Sequence, residues 1–276
     1  MAALSQWCGY AAAAALVLAI APLARGENSL LDTGYRQMYD LDFDAAHRSF
    51  QQWEQLHPDD PMGPVSDAAA YMFAEFDRLR ILQSEFFTDD RGWIGRRKLT
   101  PDPAVKRKFE DDLERSRVLA DRALARVPGD ENALFATILR RGLHADYLAL
   151  VERSYLAALR EVKAGRVLAE KLIAANPKLY DVHLAVGVEN YLLSLKPAPV
   201  RWFLRLSGAQ IDRETGLARL RITAEKGRYL KPYARLLLAV AALRDKDRVR
   251  ARELMAGLAS EFPHNRLYAE ELARLR

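Results

Sequence analysis

The residues of this chain that could carry chemistry are its five histidines and its dispersed carboxylates. The histidines form no HExxH, His-x-His or i, i+4 pair, so their spacing is not that of a metal site. No Walker loop, dinucleotide glycine pattern or G-x-S-x-G motif occurs. The adjacent acids Asp89-Asp90 and Asp111-Asp112 are typical of a turn and of a solvated helix face. The sequence therefore predicts no catalytic residue, no metal site and no cofactor.

Residues 1–26 are typical of an export signal. Residues 11–24 form an apolar run, and residues 24–26 (Ala-Arg-Gly) place small residues where a signal peptidase cleaves. The run is preceded by no Lys or Arg, so an uncleaved N-terminal anchor stays open as the alternative to a signal peptide. The single cysteine, Cys8, lies in this segment, which excludes a disulfide framework. We expect an exported, periplasmic or otherwise extracytoplasmic protein, which is membrane-anchored if the segment is uncleaved.

The composition is that of a folded protein and gives no sign of nucleic-acid binding. Among the 276 residues, 50% are hydrophobic and 29% are charged, with a net charge of +5. Basic and acidic residues are mixed along every segment rather than collected in a basic stripe with interleaved aromatic residues. A nucleic-acid partner is therefore not expected.

Five prolines end helical stretches that share one upstream pattern. Small or apolar residues stand 12, 8 and 5 positions before each proline. These sets are Ala46, Phe50 and Trp53 before Pro58; Ser116, Ala120 and Ala123 before Pro128; Gly165, Ala169 and Leu172 before Pro177; Leu220, Ala224 and Gly227 before Pro232; and Ala251, Met255 and Leu258 before Pro263. Offsets of 4 and 3 place each set on one helical face, and the proline then ends the helix. A helix repeated in this way predicts a stacked α-solenoid.

Beyond residue 28 the periodicity is helical, and no alternating strand pattern is found. Helices are predicted over residues 29–39, 42–57, 62–87, 103–127, 131–161, 164–175, 179–195, 212–226, 232–243, 247–262 and 266–276. Short breaks rich in Pro, Gly or Asp separate them.

Residues 233–263 resemble a tetratricopeptide repeat, a helix–turn–helix unit of about 34 residues. Ala251 falls at the small position of the second helix in that pattern. Residues 29–58 resemble the same unit, with Gly34 and Ala46 at the glycine and alanine positions of the family. The resemblance, to divergent bacterial repeat proteins, implies an all-α, α-α superhelix of about five helix pairs plus a C-terminal capping helix. Residues 27–276 would form this domain, with insertions at 88–102 and 196–211.

The resemblance also implies a concave groove lined by the first helix of each pair. In the family's register Asp181, Val188 and Tyr191 point into this groove, together with Leu184. The preceding unit is expected to contribute Tyr147 and Ser154. For Tyr191 a place in the core is the alternative, because aromatic residues at helical spacing are often buried.

A second surface is the basic segment of residues 91–108. It contains Arg91, Arg96 and Arg97, and it is either a docking loop for an acidic partner or membrane headgroups, or a solvated connector.

Together these features predict a non-catalytic scaffold of the cell envelope that binds a protein or peptide in its concave face. One alternative is an all-α enzyme that acts on cell-wall material with a carboxylate such as Glu189. Another is a membrane-tethered assembly factor. Membrane contact is expected only through residues 1–26 or the basic segment, and the identity of the partner is not specified by the sequence.

Overall fold

The computed structural model describes residues 29–82, 99–195 and 210–275, and these residues form helices without a β-strand. Their α-helices are α1 (Leu30–Tyr39), α2 (Phe43–Leu56), α3 (Met62–Arg78), α4 (Pro103–Arg126), α5 (Glu131–Tyr147), α6 (Tyr155–Ala175), α7 (His183–Ser194), α8 (Arg213–Lys226), α9 (Lys231–Arg244), α10 (Arg248–Glu261) and α11 (Arg266–Arg274). A π-helix (Leu148–Glu152) follows α5, and a 3-10 helix (Tyr180–Val182) precedes α7.

The helices pack as five successive pairs. Each helix contacts the next one in the chain, and α3 also contacts α1 and α5. We call α1, α3, α5, α7 and α9 the inner helices and α2, α4, α6, α8 and α10 the outer helices, while α11 covers the last pair. The expected α-α superhelix of about five helix pairs with a capping helix is confirmed for the described residues.

The repeated face that ends in each proline lies on the outer helices and is buried. Ala46, Ala169 and Ala251 have essentially no accessible surface. The larger residues that follow them on the same face are buried as well, except the half-buried Trp53. Arg250, next to Ala251, is exposed. Small residues are needed here because the axes of paired helices approach to about 8–10 Å.

Two glycines permit still closer approaches between paired helices. A Cβ atom on Gly34 of α1 would lie 2.3 Å from the ring of Phe50 on α2. A Cβ on Gly216 of α8 would lie 2.6 Å from the backbone nitrogen of Tyr191 on α7. Any larger residue at either position would therefore push the two helices apart.

Three of the predicted helices have wrong boundaries. The helix expected over 131–161 is interrupted, because Arg153 adopts a left-handed backbone conformation (φ 60°) after the π-helix. The next helix, α6, begins at Tyr155 and runs without a break to Ala175, so the helix expected to start at residue 164 begins earlier. The helix expected to run from residue 62 to 87 ends at Arg78. There Arg80 is left-handed (φ 57°), and the Ile81 N–H donates to the carbonyl of Phe76, which closes the helix end. Neither residue is a glycine, so the sequence carries no ordinary stop signal at these places.

The superhelix brings its first and last pairs into contact. The ring of Tyr35 on α1 lies 4.9 Å from that of Tyr229, just before α9, and Tyr39 packs at 5.8 Å from Phe262 at the end of α10. The Asn265 side chain donates to the carbonyl of Tyr39 at 2.7 Å. The inner helices therefore surround a central interior.

Charged side chains on the surface complete this contact, which we call the closure contact. Arg228 binds the carboxylate of Asp32 with two nitrogens, at 2.7 and 2.5 Å. His264 contacts Asp40 at 2.7 Å, and Arg266 contacts Asp77 at 2.7 Å. The partners are separated by about 190 to 225 residues in sequence.

Several expectations fall outside the described residues. These are the export signal or anchor of residues 1–26, most of the insertions at 88–102 and 196–211, and the basic-segment residues Arg91, Arg96 and Arg97. Within the part of the chain that is described, no helix combines the length and the apolar character needed to span a bilayer.

Candidate functional site

The inner helices enclose a central cavity of about 90 Å³, part of which opens to solvent. Its walls come from all five inner helices, from the turns that precede α7 and α9, and from α6. The apolar residues that line it are Tyr35, Met38 and Tyr39 of α1; Ala69, Met72 and Phe73 of α3; Phe135, Ile138, Leu139 and Leu143 of α5; Val162 of α6; Leu184, Ala185 and Val188 of α7; and Leu230 and Tyr233 at the start of α9. Mainly apolar walls with a few polar groups are the lining that ligand-binding sites usually have.

Helix α5 contributes the longest stripe to the cavity. After Phe135 and the pair 138–139, the stripe continues through Gly142 and Leu143 to Asp146. This spacing of three and four residues is one face of an α-helix. Gly142 is exposed, and a Cβ atom built there meets no atom within 4 Å, so the glycine leaves free space in the cavity wall.

Three carboxylates line the cavity, and two of them already have strong partners. Asp181 accepts backbone N–H groups from residues 228–230 at 2.9 to 3.2 Å, and so fixes the turn that leads into α9. Glu161 lies 2.7 Å from Arg141 Nη1 and 3.4 Å from His144 Nδ1. The charge of these two carboxylates is therefore engaged in holding the walls.

The third carboxylate, Asp146, has a different environment. The hydroxyl of Tyr233 donates a long hydrogen bond of 3.4 Å to Asp146 Oδ2. Asp146 is half-buried, and it lines the cavity. Burial raises the pKa of Asp146 to about 7, although the Tyr233 hydrogen bond acts in the opposite direction. Burial, together with the nearby Asp146, also raises the pKa of Tyr233 well above its ordinary value.

No Lys, Arg or His lines the cavity among the described residues. The ionisable groups that face it are carboxylates and phenols: Tyr35, Tyr39, Asp146, Glu161, Asp181 and Tyr233. The site therefore combines apolar walls with an acidic polar character, and it has no group suited to bind an anion.

Some of the residues expected in the groove do face the interior. Asp181 and Val188 line the cavity, as does Leu184. Tyr191 does not: it has 1% of its surface accessible and belongs to the core, which was the alternative given for it. The reason is local, because the backbone of Gly216 packs directly against the backbone of Tyr191 and holds this end of α7 against α8.

Tyr147 and Ser154 do not line the cavity. The Tyr147 ring stacks on Phe109 of α4 at 4.9 Å, with the ammonium of Lys106 6.0 Å from its centre. Ser154 lies at the break before α6, and its N–H donates to the carbonyl of Leu148. On α5 the cavity-facing position is Asp146, one residue before Tyr147. The sequence does hold the signal for it, because extending the α5 stripe by three or four residues from 142–143 reaches Asp146.

The candidate acid of the enzyme alternative, Glu189, lies between α6 and α7 rather than in the cavity. Its side chain is fully buried, and Arg166 Nε lies 2.8 Å from Glu189 Oε2, although the two groups are not aligned as a linear hydrogen bond. Burial raises the pKa of Glu189, and Arg166 together with the backbone N–H of Gln210 opposes this shift. Arg166 also contacts Glu170 at 2.7 Å. This arrangement is that of an ion pair joining two helices.

A second polar group lies between α2, α3 and α4. His47 Nδ1 makes a short contact with Asp67, and Gln51 donates to the other oxygen of that carboxylate at 3.3 Å. Asp112 is nearby, and burial, followed by the charge of Asp67, raises its pKa to about 7. Arg115 Nη1 lies 2.6 Å from this carboxylate. None of these residues lines the central cavity, so we assign them to the joining of the first two helix pairs.

Nowhere in residues 29–82, 99–195 and 210–275 do three or more His, Cys, Asp or Glu side chains come together as a metal site would require. Comparison with protein-family models and with curated protein sequences gives no match. The central cavity is therefore the feature of the structure on which a function can be argued.

Proposed function

We propose that this protein is a non-catalytic scaffold of the cell envelope, built from divergent tetratricopeptide-like helix pairs, that holds an apolar segment of a protein or peptide partner in its central cavity. The observation that carries the proposal is the convergence of all five inner helices on one apolar cavity. Pre-formed apolar walls lower the cost of ordering a bound segment, because the site does not have to reorganise.

Gly142 supports the same conclusion. It is a helix-interior residue where glycine is unfavourable by about 1 kcal/mol relative to alanine, yet no neighbouring side chain requires its small size. Gly142 lines the cavity where the cavity is exposed to solvent. A role in admitting a ligand accounts for a glycine that packing does not explain.

The two alternatives rest on other parts of the chain. An enzyme that used Glu189 would require this carboxyl to reach a substrate, whereas it lies in a buried ion pair away from the cavity. A membrane-tethered assembly factor would require residues 1–26 to persist in the mature protein. N-terminal sequencing tests the tethered form. We expect the mature chain to begin at or near Glu27, and an intact Met1 would favour tethering.

Site-specific photocrosslinking in the native cell tests the binding proposal. A photoreactive residue at Val188 faces the cavity, and the same residue at Arg252 lies exposed on the outer helix α10. We expect adducts of discrete mass from position 188 that are absent from position 252.

Blocking the cavity provides the matched control. Gly142→Leu fills the space in the cavity wall, while Gly257→Leu places the same side chain on the outside of α10, where a Cβ also meets no atom within 4 Å. The adducts from position 188 should disappear with Gly142→Leu and persist with Gly257→Leu. Adducts that are insensitive to Gly142→Leu would contradict binding in the cavity.

A further inference from the structure

The chemistry of the cavity indicates which kind of segment it holds. We propose that the cavity takes a lysine side chain of the bound segment, with the Asp146 carboxylate as the counter-ion of its ammonium group. This inference rests on the proposed function, because it names the chemistry of the segment held in the same cavity.

The charge of the cavity lining favours a cation. An ionised carboxylate in an apolar cavity is unfavourable unless an opposite charge or several hydrogen bonds compensate it. Asp181 has three backbone donors and Glu161 has Arg141, but among the described residues Asp146 has only the long contact with Tyr233. A cation that enters the cavity would supply what the walls do not, and an anion would meet carboxylates and phenols alone.

The shape of the site favours a lysine side chain over an arginine side chain. Lysine carries its point charge on four methylene groups, which can pack on apolar surface while the ammonium reaches a polar group. Leu143, one helical turn from Asp146, and Val188 on the opposite helix offer such surface. An arginine would ask for two carboxylate oxygens arranged for its fork, whereas Asp146 Oδ2 is already contacted by Tyr233.

The affinity of the cavity for an ammonium group should depend on pH, in a direction set by the surroundings of Asp146. The groups that face it are Tyr233 from α9, Tyr35 and Tyr39 from α1, Glu161 from α6, and Asp181 before α7, while α3 contributes apolar residues only. With a pKa of about 7, Asp146 is largely protonated at pH 6 and largely ionised at pH 8. Because an ammonium binds the ionised form, its affinity should rise between these two pH values.

Calorimetric titration of the purified full chain with three probes of equal length tests the inference. The probes are octylammonium, octan-1-ol and octanoate at pH 8. We expect octylammonium to bind at least about tenfold more tightly than the alcohol, with octanoate weakest. Asp146→Asn keeps the side-chain shape and removes the charge, so it should bring the ammonium and the alcohol to within about twofold while alcohol binding persists.

The source of the ammonium is tested with peptides. An acetylated, amidated heptapeptide with a central lysine among alanines and terminal leucines is compared with its norleucine counterpart. We expect the same preference for the lysine peptide, and its loss in Asp146→Asn. A preference shown by octylammonium but not by the lysine peptide would overturn the assignment to a lysine side chain.

The binding results distinguish failure of the counter-ion role of Asp146 from failure of the proposed function. Equal binding of octylammonium and octan-1-ol to the unaltered protein, or a preference that survives Asp146→Asn, overturns the counter-ion role and leaves the proposed function standing. Failure of all three probes and both peptides to bind overturns the proposed function together with this inference. Gly142→Leu should abolish all binding, and Gly257→Leu should change none of it.

Discussion

Two carboxylates on neighbouring parts of the superhelix, the buried Glu189 and the half-buried Asp146, have opposite surroundings. Glu189, between α6 and α7, lies beside the guanidinium of Arg166. Asp146, on the cavity face of α5, has the phenol of Tyr233 as its hydrogen-bond donor, and none of the described residues that line the cavity is a cation. Burial raises the pKa of both, but only Glu189 has a nearby positive charge that opposes the shift.

The difference separates a residue that holds the fold together from one that is available to a ligand. A buried ion pair with its partners in place connects helices, and removing one member is costly. A buried carboxyl without a cation is unfavourable for folding when ionised, so packing alone does not account for it. Asp146 therefore indicates function, although Glu189 is the more deeply buried of the two.

The largest effect is expected from breaking the ion pair. Arg166→Met should lower the free energy of unfolding by about 3–5 kcal/mol, because it leaves Glu189 buried without its cation. Urea denaturation at pH 7 measures it. The double variant Arg166→Met with Glu189→Leu should recover most of the loss. If Arg166→Met is as stable as the unaltered protein, the ion pair does not stabilise the fold, and the contrast with Asp146 fails.

Removing the charge of Asp146 is expected to change the free energy of unfolding in the opposite direction. Its pKa rises from 3.8 to about 7 on folding, so the unfolded chain releases the proton first, and stability falls as the pH rises from about 4 to about 7. Asp146→Asn should remove this loss and stabilise the protein by roughly 1–3 kcal/mol at pH 8, with little change at pH 4. Urea denaturation at both pH values measures it. A destabilisation at pH 8 would assign Asp146 a structural role like that of Glu189.

The sequence predicted much of the fold because the fold depends on local repetition. The face that places Ala46, Ala169 and Ala251 at helix crossings recurs before each closing proline, so the pairs and their order could be predicted. The breaks at Arg80 and Arg153 could not, since non-glycine residues adopt the left-handed conformation there.

The candidate site was predicted only in part. Asp181, just before α7, and Leu184 and Val188 on α7 line the cavity, whereas Tyr191 lies in the core, where the close approach of Gly216 holds the helix end. Partner binding by these residues stays a prediction. On α5 an error of one residue replaced Asp146 by Tyr147. The closure contact, which turns a groove into a cavity, joins residues about 200 positions apart, and no local pattern specifies such pairs.

A smaller effect on stability, but a decisive one for binding, is expected from the two glycine variants. Gly142→Leu and Gly257→Leu should each stabilise the protein by about 0.5–1 kcal/mol, because leucine is the better helix former and neither site is crowded. Thermal unfolding measures this similarity. Titration with octan-1-ol then separates them, since binding should be lost only in Gly142→Leu. Destabilisation by Gly142→Leu alone would mean that the cavity wall is more tightly packed than the structure indicates.

The smallest effect is expected at the closure contact. Arg228 is exposed, so Arg228→Ala should cost no more than about 1 kcal/mol at pH 7. Burial tends to raise the pKa of Asp32, but hydrogen bonds from Arg228 and Ser29 outweigh it and lower the pKa. The contribution of the pair is therefore present above the ordinary pKa of an aspartate and is lost as the pH falls through the lowered value. Arg252→Ala, an exposed change on the outer surface, is the control, and urea denaturation at pH 7 and pH 2 should show the difference only at pH 7.

The central claim is that the half-buried carboxyl of Asp146 is available to bind a cation. Titration of this carboxyl group tests the claim most directly. Selective ¹³C labelling of aspartate carboxyl groups, with Asp146→Asn to assign the signal, follows this group by NMR across the pH range. We expect the titration of Asp146 to have a midpoint of about 7 in the free protein and a lower midpoint when octylammonium is bound. A midpoint near 4, the ordinary value for an aspartate, that octylammonium does not change would contradict it.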